Sequence, residues 1–522
     1  MPWDREEISR RSIKQHCEQT TNLIITRLKS HCIHLLTFYD NFGVSISDSL
    51  IDQLRTAPDR WSVGLKLFFE GHSELCRFFG LSLVRDFLLS AFRPSSPSAS
   101  LTELSPVYNS IREAVWAWTT RSLIQNVPIP VFILNNLVTV LTLLIKLQFP
   151  ECWSTAFSDI LEVGRGCTAG LDLAVRVICD LEVEVVMFNE GRGKGEVARN
   201  VLIKDAMRAN ENSITKKMVE FLCQSAASIR ISNVELSERC LRCLADMIGW
   251  IDISLVACES TLSCIYLALR DSELCSASLA CLLELVKKGM EPVKKIQMLH
   301  AIGLVQVLSL VPIRQRGDTV NDDDEGAEDA LGSVLDVFLL ELIGCWAKYE
   351  DVAFNLSFTS STRSAVGDSG NDATSTFSES QQLKEVAPVL AASLHSLLPI
   401  VLQILSHDDK EGMAASTVVP CLGRLIALFK QQLSYAQQIE ANRPKDGSNT
   451  CFFSASDYLH PLLLAIYQQM QFDEDFRYDP SDDDDAAIIE VSDRYIAEIV
   501  VKNSKTRDII CDRVRLGVER TL

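Results

Sequence analysis

The sequence predicts an all-α protein, a HEAT-repeat α-solenoid built from antiparallel helix pairs. Three observations predict it. Apolar residues recur at spacings of three and four in segment after segment, the period of one helical face. Glycine and proline are sparse, 23 and 16 residues of 522, and leucine, isoleucine and alanine lead the apolar set. The length exceeds what one compact core needs, whereas stacked repeats have no such limit.

The clearest repeats run from Leu236 to Leu304. Leu236, Cys240, Cys243, Leu244, Met247 and Ile248 share one helical face. Leu262, Ile265, Tyr266 and Leu269 repeat the pattern, and so do Leu279, Leu282, Leu283 and Val286. Gly289 is placed to stop that helix, and Pro292 to open the next, which carries Val293, Ile296 and Leu299. A pair of helices in about 40 residues cannot bury its apolar face alone, so neighbours must stack on it.

In chain order, residues 1–55 read as divergent N-terminal helices with polar faces. Their His16-Cys17, His31-Cys32 and His34 fit no compact ligand set, and no metal is expected. Residues 56–320 read as the main array. Its first pair sets Trp61, Leu65 and Phe68 against Phe78, Phe79, Leu83 and Phe87, joined through Gly71-His72-Ser73. A Ser/Pro-rich loop at 93–100 follows, then pairs at 107–125 with 128–147 and at 151–163 with 168–188. Val131–Leu147 is the most apolar run, but Asn135, Asn136 and Lys146 interrupt it, so it reads as a buried helix and not a membrane span.

Residues 321–382 read as acidic and Ser/Thr-rich loops around a helix. The acidic loop is Asn321–Asp329, and a disordered insertion is expected at 357–380. Residues 383–522 read as further repeats, with helices at 383–406, 415–436 and 456–470, a polar loop at 437–451 and an acidic loop at 472–485. Two last helices are expected near 487–501 and 505–519, and the array then stops without a polar cap, as expected of a solenoid truncated at its C-terminal end.

The net charge is −19, which argues against general adhesion to nucleic acid or anionic membrane. Two local departures stand out. Residues 191–217 hold Arg192, Lys194, Arg199, Lys204, Arg208, Lys216 and Lys217 against three acids, a net +4. Lys287, Lys288, Lys294 and Lys295 face one acid, Glu291, across nine residues. The bland alternative for both is a solvated face. Stacked repeats place equivalent turns on one edge, so the two clusters are candidates for a basic strip.

Seventeen cysteines, an odd number at apolar helical positions, read as buried thiols in a reducing compartment. The CxxC at Cys240 and Cys243 reads as a core pair. Gly191-Arg192-Gly193-Lys194-Gly195 lacks the ending and the preceding strand of a phosphate loop and reads as a linker. No GxSxG elbow, HExxH or kinase signature is present, and an array of this kind is expected to bind and not to catalyse. No cofactor is expected.

Several segments carry a family resemblance. Arg199–Arg208 (RNVLIKDAMR), Gly249–Val256 (GWIDISLV), Lys288–Val293 (KGMEPV) and Phe472–Phe476 (FDEDF) resemble, in order, segments of the exportin-T family, the tRNA exportins among the importin-β-type karyopherins. Arg77–Leu83 (RFFGLSL) resembles an early helix of the same group and departs from it at Gly80 and Ser82. The resemblance covers roughly residues 55–500 and points to the N-terminal half of such a protein. It implies a nuclear export receptor, not an enzyme. Its partners would be tRNA, the GTPase Ran in its GTP form, and nuclear pore proteins. It would shuttle between nucleus and cytoplasm without entering a membrane. The resemblance also makes Arg199, Lys204, Arg208, Lys287, Lys288, Lys294 and Lys295 candidates for RNA contact. Phe78, Phe79 and Leu83, with the acids Asp322, Asp323, Asp324 and Glu325, are candidates for Ran contact. A karyopherin for protein cargo and a Ran-independent HEAT scaffold remain open alternatives.

Overall fold

The computed structural model describes residues 48–71, 73–92, 105–187, 190–209, 213–311, 313, 322–362, 373–406, 414–442 and 455–469. These residues form helices joined by short turns, with no strand among them. The chain divides into two compact units, residues 1–221 and 222–522. The segments at 1–47 and 472–485 and the two expected last helices lie outside the described residues.

The first unit opens with α1 (Asp48–Thr56), α2 (Arg60–Glu70) and α3 (Glu74–Ser90). Ser73 starts α3 by accepting the Cys76 amide, which satisfies one of the orphan donors at a helix N-terminus. Helices α2 and α3 cross at two glycines. A Cβ on Gly80 would lie 2.5 Å from the Gly64 carbonyl, and a Cβ on Gly64 2.6 Å from that of Gly80. Only glycine at both positions permits this approach. Ser82 is buried and accepts a hydrogen bond from Asn136 Nδ2 at 3.0 Å, tying α3 to a helix two places on.

That helix is α5 (Val131–Gln148), which follows α4 (Ser105–Ile124). Next come α6 (Ala156–Gly166) and α7 (Thr168–Leu181), a π-helical turn at Glu182–Val186, α8 (Lys194–Arg208) and α9 (Ile214–Ile229), which crosses into the second unit. Helix α3 packs on α5, and α5 on α7, so every second helix stacks on the next as in HEAT-type repeats. Leu137, Val140, Leu141, Leu143, Leu144 and Ile145 of α5 are fully buried in this stack.

The second unit continues with α10 (Val234–Ile248), a 3₁₀ turn at Ile253–Leu255, α11 (Glu259–Ala268), α12 (Ser272–Lys287), α13 (Pro292–Ala301) and α14 (Leu304–Leu308). Helix α10 packs on α12, again alternate helices, and α12 packs on α15 (Asp322–Thr362), past the two short helices between them. After these come α16 (Ala373–Leu405), α17 (Ala414–Thr417), α18 (Val419–Asn442) and α19 (Ala455–Gln469).

Three expectations change here. The acidic loop at 321–329 is not a loop: Asp322 opens α15, and carboxylates suit the positive end of a helix dipole. The expected insertion at 357–380 is entered from both sides, α15 running to Thr362 and α16 starting at Ala373. Part of the expected polar loop at 437–451 is likewise the last turns of α18. Gly289 sits past the end of α12 but does not adopt a left-handed conformation, which among the described residues occurs at Gly303 and Asn126. Pro292 does open α13, with Glu291 accepting the Val293 and Lys294 amides.

Among the described residues, three helices are long and apolar enough to cross a membrane by composition alone. Val131–Gln148 is 78% buried within the protein, and the two others, in α15 and α16, are 56% buried.

Candidate functional site

The basic residues of the first unit lie on α8. Asn200, Ile203 and Met207 are its buried stripe, which fixes the rotation of the helix. Arg199 points back to the end of α5. Its Nε donates to the Lys146 carbonyl at 2.9 Å, and Nη2 to the carbonyls of Leu147 at 3.1 Å and Phe149. Both terminal nitrogens also reach the Glu151 carboxylate at 2.8 Å, a forked pair. These carbonyls lie at and just past the end of α5, where backbone acceptors lack donors from the helix itself. The Arg199 hydrogen bond holds the Glu151 carboxyl below its usual range.

Lys146 lies on the buried side of the same joint. Its side chain is 1% exposed, and its Nζ binds Glu184 at 2.9 Å and Glu196 at 2.6 Å. Its ammonium also stands 4.6 Å from the ring centre of Phe92. Arg192 adds a pair with Glu196 at 3.6 Å and donates to the Val183 carbonyl, bracing the π-helical turn. The Gly191–Gly195 segment is therefore anchored through its arginine. Burial raises the nearby Asp180 carboxyl above its ordinary range. This network escaped the sequence reading. The signal was there: a lysine inside the most apolar run must find carboxylates.

Lys204 is half-buried and Arg208 exposed, on the remaining length of α8. Among the three α8 candidates, the Arg199 guanidinium engages the α5 carbonyls and Glu151.

In the second unit the lysines lie around the turn from α12 to α13. Lys288 Nζ donates to the carbonyls of Gly249 at 3.0 Å and Ile251 at 2.7 Å. The two family-like corners, KGMEPV and GWIDISLV, thus meet through one lysine. Within the second corner Ile251 is buried, and Asp252 accepts the Ser254 amide at 2.8 Å. The Ser254 hydrogen bonds, and then the Lys288 charge, hold the Asp252 carboxyl below its usual range. Lys295 is 3% exposed and pairs with Glu341 of α15 at 2.7 Å. Lys287 is exposed and pairs with Glu284 of its own helix, and Lys294 is exposed. Of these lysines, Lys295 has its ammonium buried in an ion pair, and Lys288 is half-buried with its ammonium on two turn carbonyls. The two clusters belong to different units.

Of the aromatic candidates, Leu83 is fully buried and belongs to the core with Leu54, Val63 and Leu67, so it is corrected. Phe79 packs on that same core. Phe78 is half-buried against Phe132, with ring centres 5.6 Å apart. Asp322, Asp323, Asp324 and Glu325 form the first turn of α15.

Cys240 and Cys243 are buried on the inner face of α10 and not joined in a disulfide, as the CxxC reading expected. No group of His, Cys, Asp and Glu among the described residues is arranged to hold a metal ion.

Comparison with known proteins places these features. Residues 130–282 match the family described as Exportin 1-like protein. That stretch includes α5, the Arg199 clamp and the GWIDISLV corner. Exportin-T of Danio rerio is 25% identical over 441 residues, which covers 84% of this chain and 39% of that protein. Exportin-T of Homo sapiens is 23% identical over 440 residues, with the same two shares. The chain is similar to the exportin-T proteins over most of its length. Exportin-T of Arabidopsis thaliana is 26% identical over a shorter 304 residues, 56% of this chain and 29% of that one. The chain spans about two fifths of the length of the animal exportin-T proteins it matches. One solved structure, titled for a phosphorylation switch between cadherin and β-catenin, aligns over 92% of each chain at 12% identity, with a TM-score of 0.23, too low to speak to fold.

Proposed function

We propose that this chain is part of a nuclear export receptor for tRNA, which binds its cargo together with Ran in the GTP form and releases it in the cytoplasm after GTP hydrolysis. The observation that carries the reading is the similarity to exportin-T across 84% of the chain. The role is binding, not catalysis, and nuclear pore proteins are the further partners of a shuttling receptor.

An A-form RNA offers phosphates and 2′-hydroxyls, and is held by shape and charge with few base contacts. The cations proposed for this role are the half-buried Lys204 and exposed Arg208 in the first unit, and the exposed Lys287 and Lys294 in the second. Arg199, Lys288 and Lys295 support the surface indirectly, by fixing the helix ends that carry it. Phe78, at the edge of the first repeat, and the acidic start of α15 are the proposed Ran contacts.

The test is filter binding of labelled tRNA to this chain, with and without Ran bound to a non-hydrolysable GTP analogue, over a range of salt. Ran should tighten tRNA binding. The double substitution K204E/R208E should weaken it and flatten the slope of log affinity against log salt by about 2, one unit for each phosphate no longer neutralised. An unchanged slope removes these two residues from the RNA surface. Binding that ignores Ran overturns the export reading itself.

A further inference from the structure

We propose that the outward face of α8 docks on the α8 of a second copy of this chain, the two helices running antiparallel in a symmetric dimer. Nothing in the transport reading uses this face as a whole. The inward side of α8 is the stripe of Asn200, Ile203 and Met207. The side of a surface helix opposite such a stripe is ordinarily polar. On α8 it is apolar along its middle. Val197, Val201 and Leu202 are 46%, 47% and 41% exposed, and Ala198 beside them is exposed as well. At about 3.6 residues per turn these four share one half of the helix surface with Lys194, Asp205 and Arg208. The π-helical turn packed on α8 adds the exposed Val183 and Met187. A contiguous apolar patch rimmed by charge marks an interaction surface.

The order of residues along the face selects the occupant. Lys194 lies at one end of its centre line and Asp205 near the other, with Ala198 and Val201 between them. Turning the helix end for end about the point between Arg199 and Asn200 brings Lys194 level with Asp205, Val197 with Leu202, and Ala198 with Val201. The face is therefore complementary to itself, as a two-fold contact requires, and each pairing is made twice. Lys194 and Asp205 are both exposed, and neither has an ion-pair partner among the described residues. The small Ala198 opposite Val201 lets the two backbones approach. Lys194 and Arg208 against Asp205 leave this face at +1 in a chain of −19, so two copies repel little here.

RNA is a poorer occupant for the centre of the face. Valine, alanine and leucine side chains offer neither a plane for a base to stack on nor a donor for a phosphate. A single helix of about four turns makes a contact at or below the small end of specific interfaces, roughly 1,200 Å² in total. The dimer is accordingly weak, with a dissociation constant in the micromolar range.

The test is analytical ultracentrifugation of the whole chain from about 1 to about 100 µM, where a reversible monomer–dimer equilibrium is expected. Lys194→Glu and Asp205→Lys each set like charges opposite one another twice, and each should weaken the dimer at least about tenfold. The double substitution K194E/D205K restores opposite charges in reversed order and should return the dissociation constant to within about threefold of the original. Both changes place the charge that the helix dipole favours at that end, so α8 itself keeps its stability. Val201→Asp should abolish the dimer. None of these variants alters Lys204 or Arg208, so the result does not depend on the RNA reading. Hydrogen exchange on the unsubstituted protein gives a second measurement: residues 194–208 should exchange more slowly at the higher concentration, while α10 and α12 are unchanged. A chain that stays monomeric throughout would leave the face to another partner and overturn the proposal. So would a dimer indifferent to Lys194→Glu, a double substitution that fails to rescue, or concentration-dependent protection that spares α8.

Discussion

At the end of α5, Arg199 gathers three backbone carbonyls and a carboxylate. At the end of α10, Lys288 gathers two carbonyls, with Asp252 in electrostatic range. Both cations come from later in the chain and close the corner after an earlier helix, so both tie one repeat to another. The chemistry of the two joints differs. A guanidinium is flat, carries five donors and engages carbonyls and a carboxylate together in fixed geometry. An ammonium is a compact charge that shares its three donors in any direction. The first joint also has a second, buried layer, Lys146 between Glu184 and Glu196. The difference teaches that the chain locks its repeats by two means, a dense charged network in one place and a single flexible staple in the other.

The buried layer carries the largest expected effect. Lys146→Met keeps the volume and removes the charge, leaving Glu184 and Glu196 facing each other without it. Removing one member of a buried ion pair costs roughly 3–5 kcal/mol. A loss of that size, read from chemical denaturation, would mark the first joint as the stronger lock. A loss under about 1 kcal/mol would reduce Lys146 to a packing residue.

A carboxylate held by neutral donors sharpens the contrast. Glu350 of α15 accepts from Trp346 Nε1 at 2.6 Å and from Gln432 of α18, while its second oxygen is buried without a partner among the described residues. Burial pushes its carboxyl up from 4.5 to about 7, against those hydrogen bonds, with Asp351 adding to the rise. A raised acid holds its proton in the fold and loses it in the unfolded chain. Stability is therefore greatest below pH 4.5 as far as this group is concerned, falls between 4.5 and about 7, and is level above that. The fall is of order 3 kcal/mol at one pH unit per about 1.4 kcal/mol. Denaturation at a series of pH values on the protein and on Glu350→Gln checks it, since the difference between the two should follow this curve. A pH-independent difference would show that Glu350 stays ionised.

Arg199→Lys addresses the first joint directly. The charge survives, but a lysine cannot hold the Glu151 fork and the α5 carbonyls at once. A loss of about 2 kcal/mol is expected, the size of one or two charge-assisted hydrogen bonds. Chemical denaturation measures it. A neutral outcome would mean that the joint needs only a positive charge and that the two corners are equivalent.

Much of this fold was legible from spacing. The α10 and α12 stripes, the Pro292 start and the burial of Val131–Leu147 all follow from apolar period and capping chemistry, which are local. The acids at 322–325 misled because composition was read without position: the same residues suit a loop or the first turn of a helix. The surroundings of the basic candidates were illegible for another reason. Arg199, Lys288 and Lys295 carry the same charge as Lys204 and Lys294, and only the path of distant helices decides which ammonium or guanidinium meets carbonyls or a carboxylate. Leu83 is similar: a helical face rich in aromatics marks an edge, but which of its residues points inward depends on the Gly64–Gly80 crossing.

The smallest effect belongs to the staple. Lys288→Met removes two donors from the Gly249 and Ile251 carbonyls, but these lie at a turn where water replaces part of what is removed. A loss of about 1 kcal/mol is expected. The decisive readout is local. Hydrogen exchange in residues 249–257 should quicken while α10 and α12 keep their protection, because the staple joins the corner to α12 and does not build either helix. If α10 and α12 loosen together with the corner, Lys288 holds the repeat as a whole. The two joints would then differ in strength alone, and a single ammonium would hold over a wider area what Arg199 holds at one helix end.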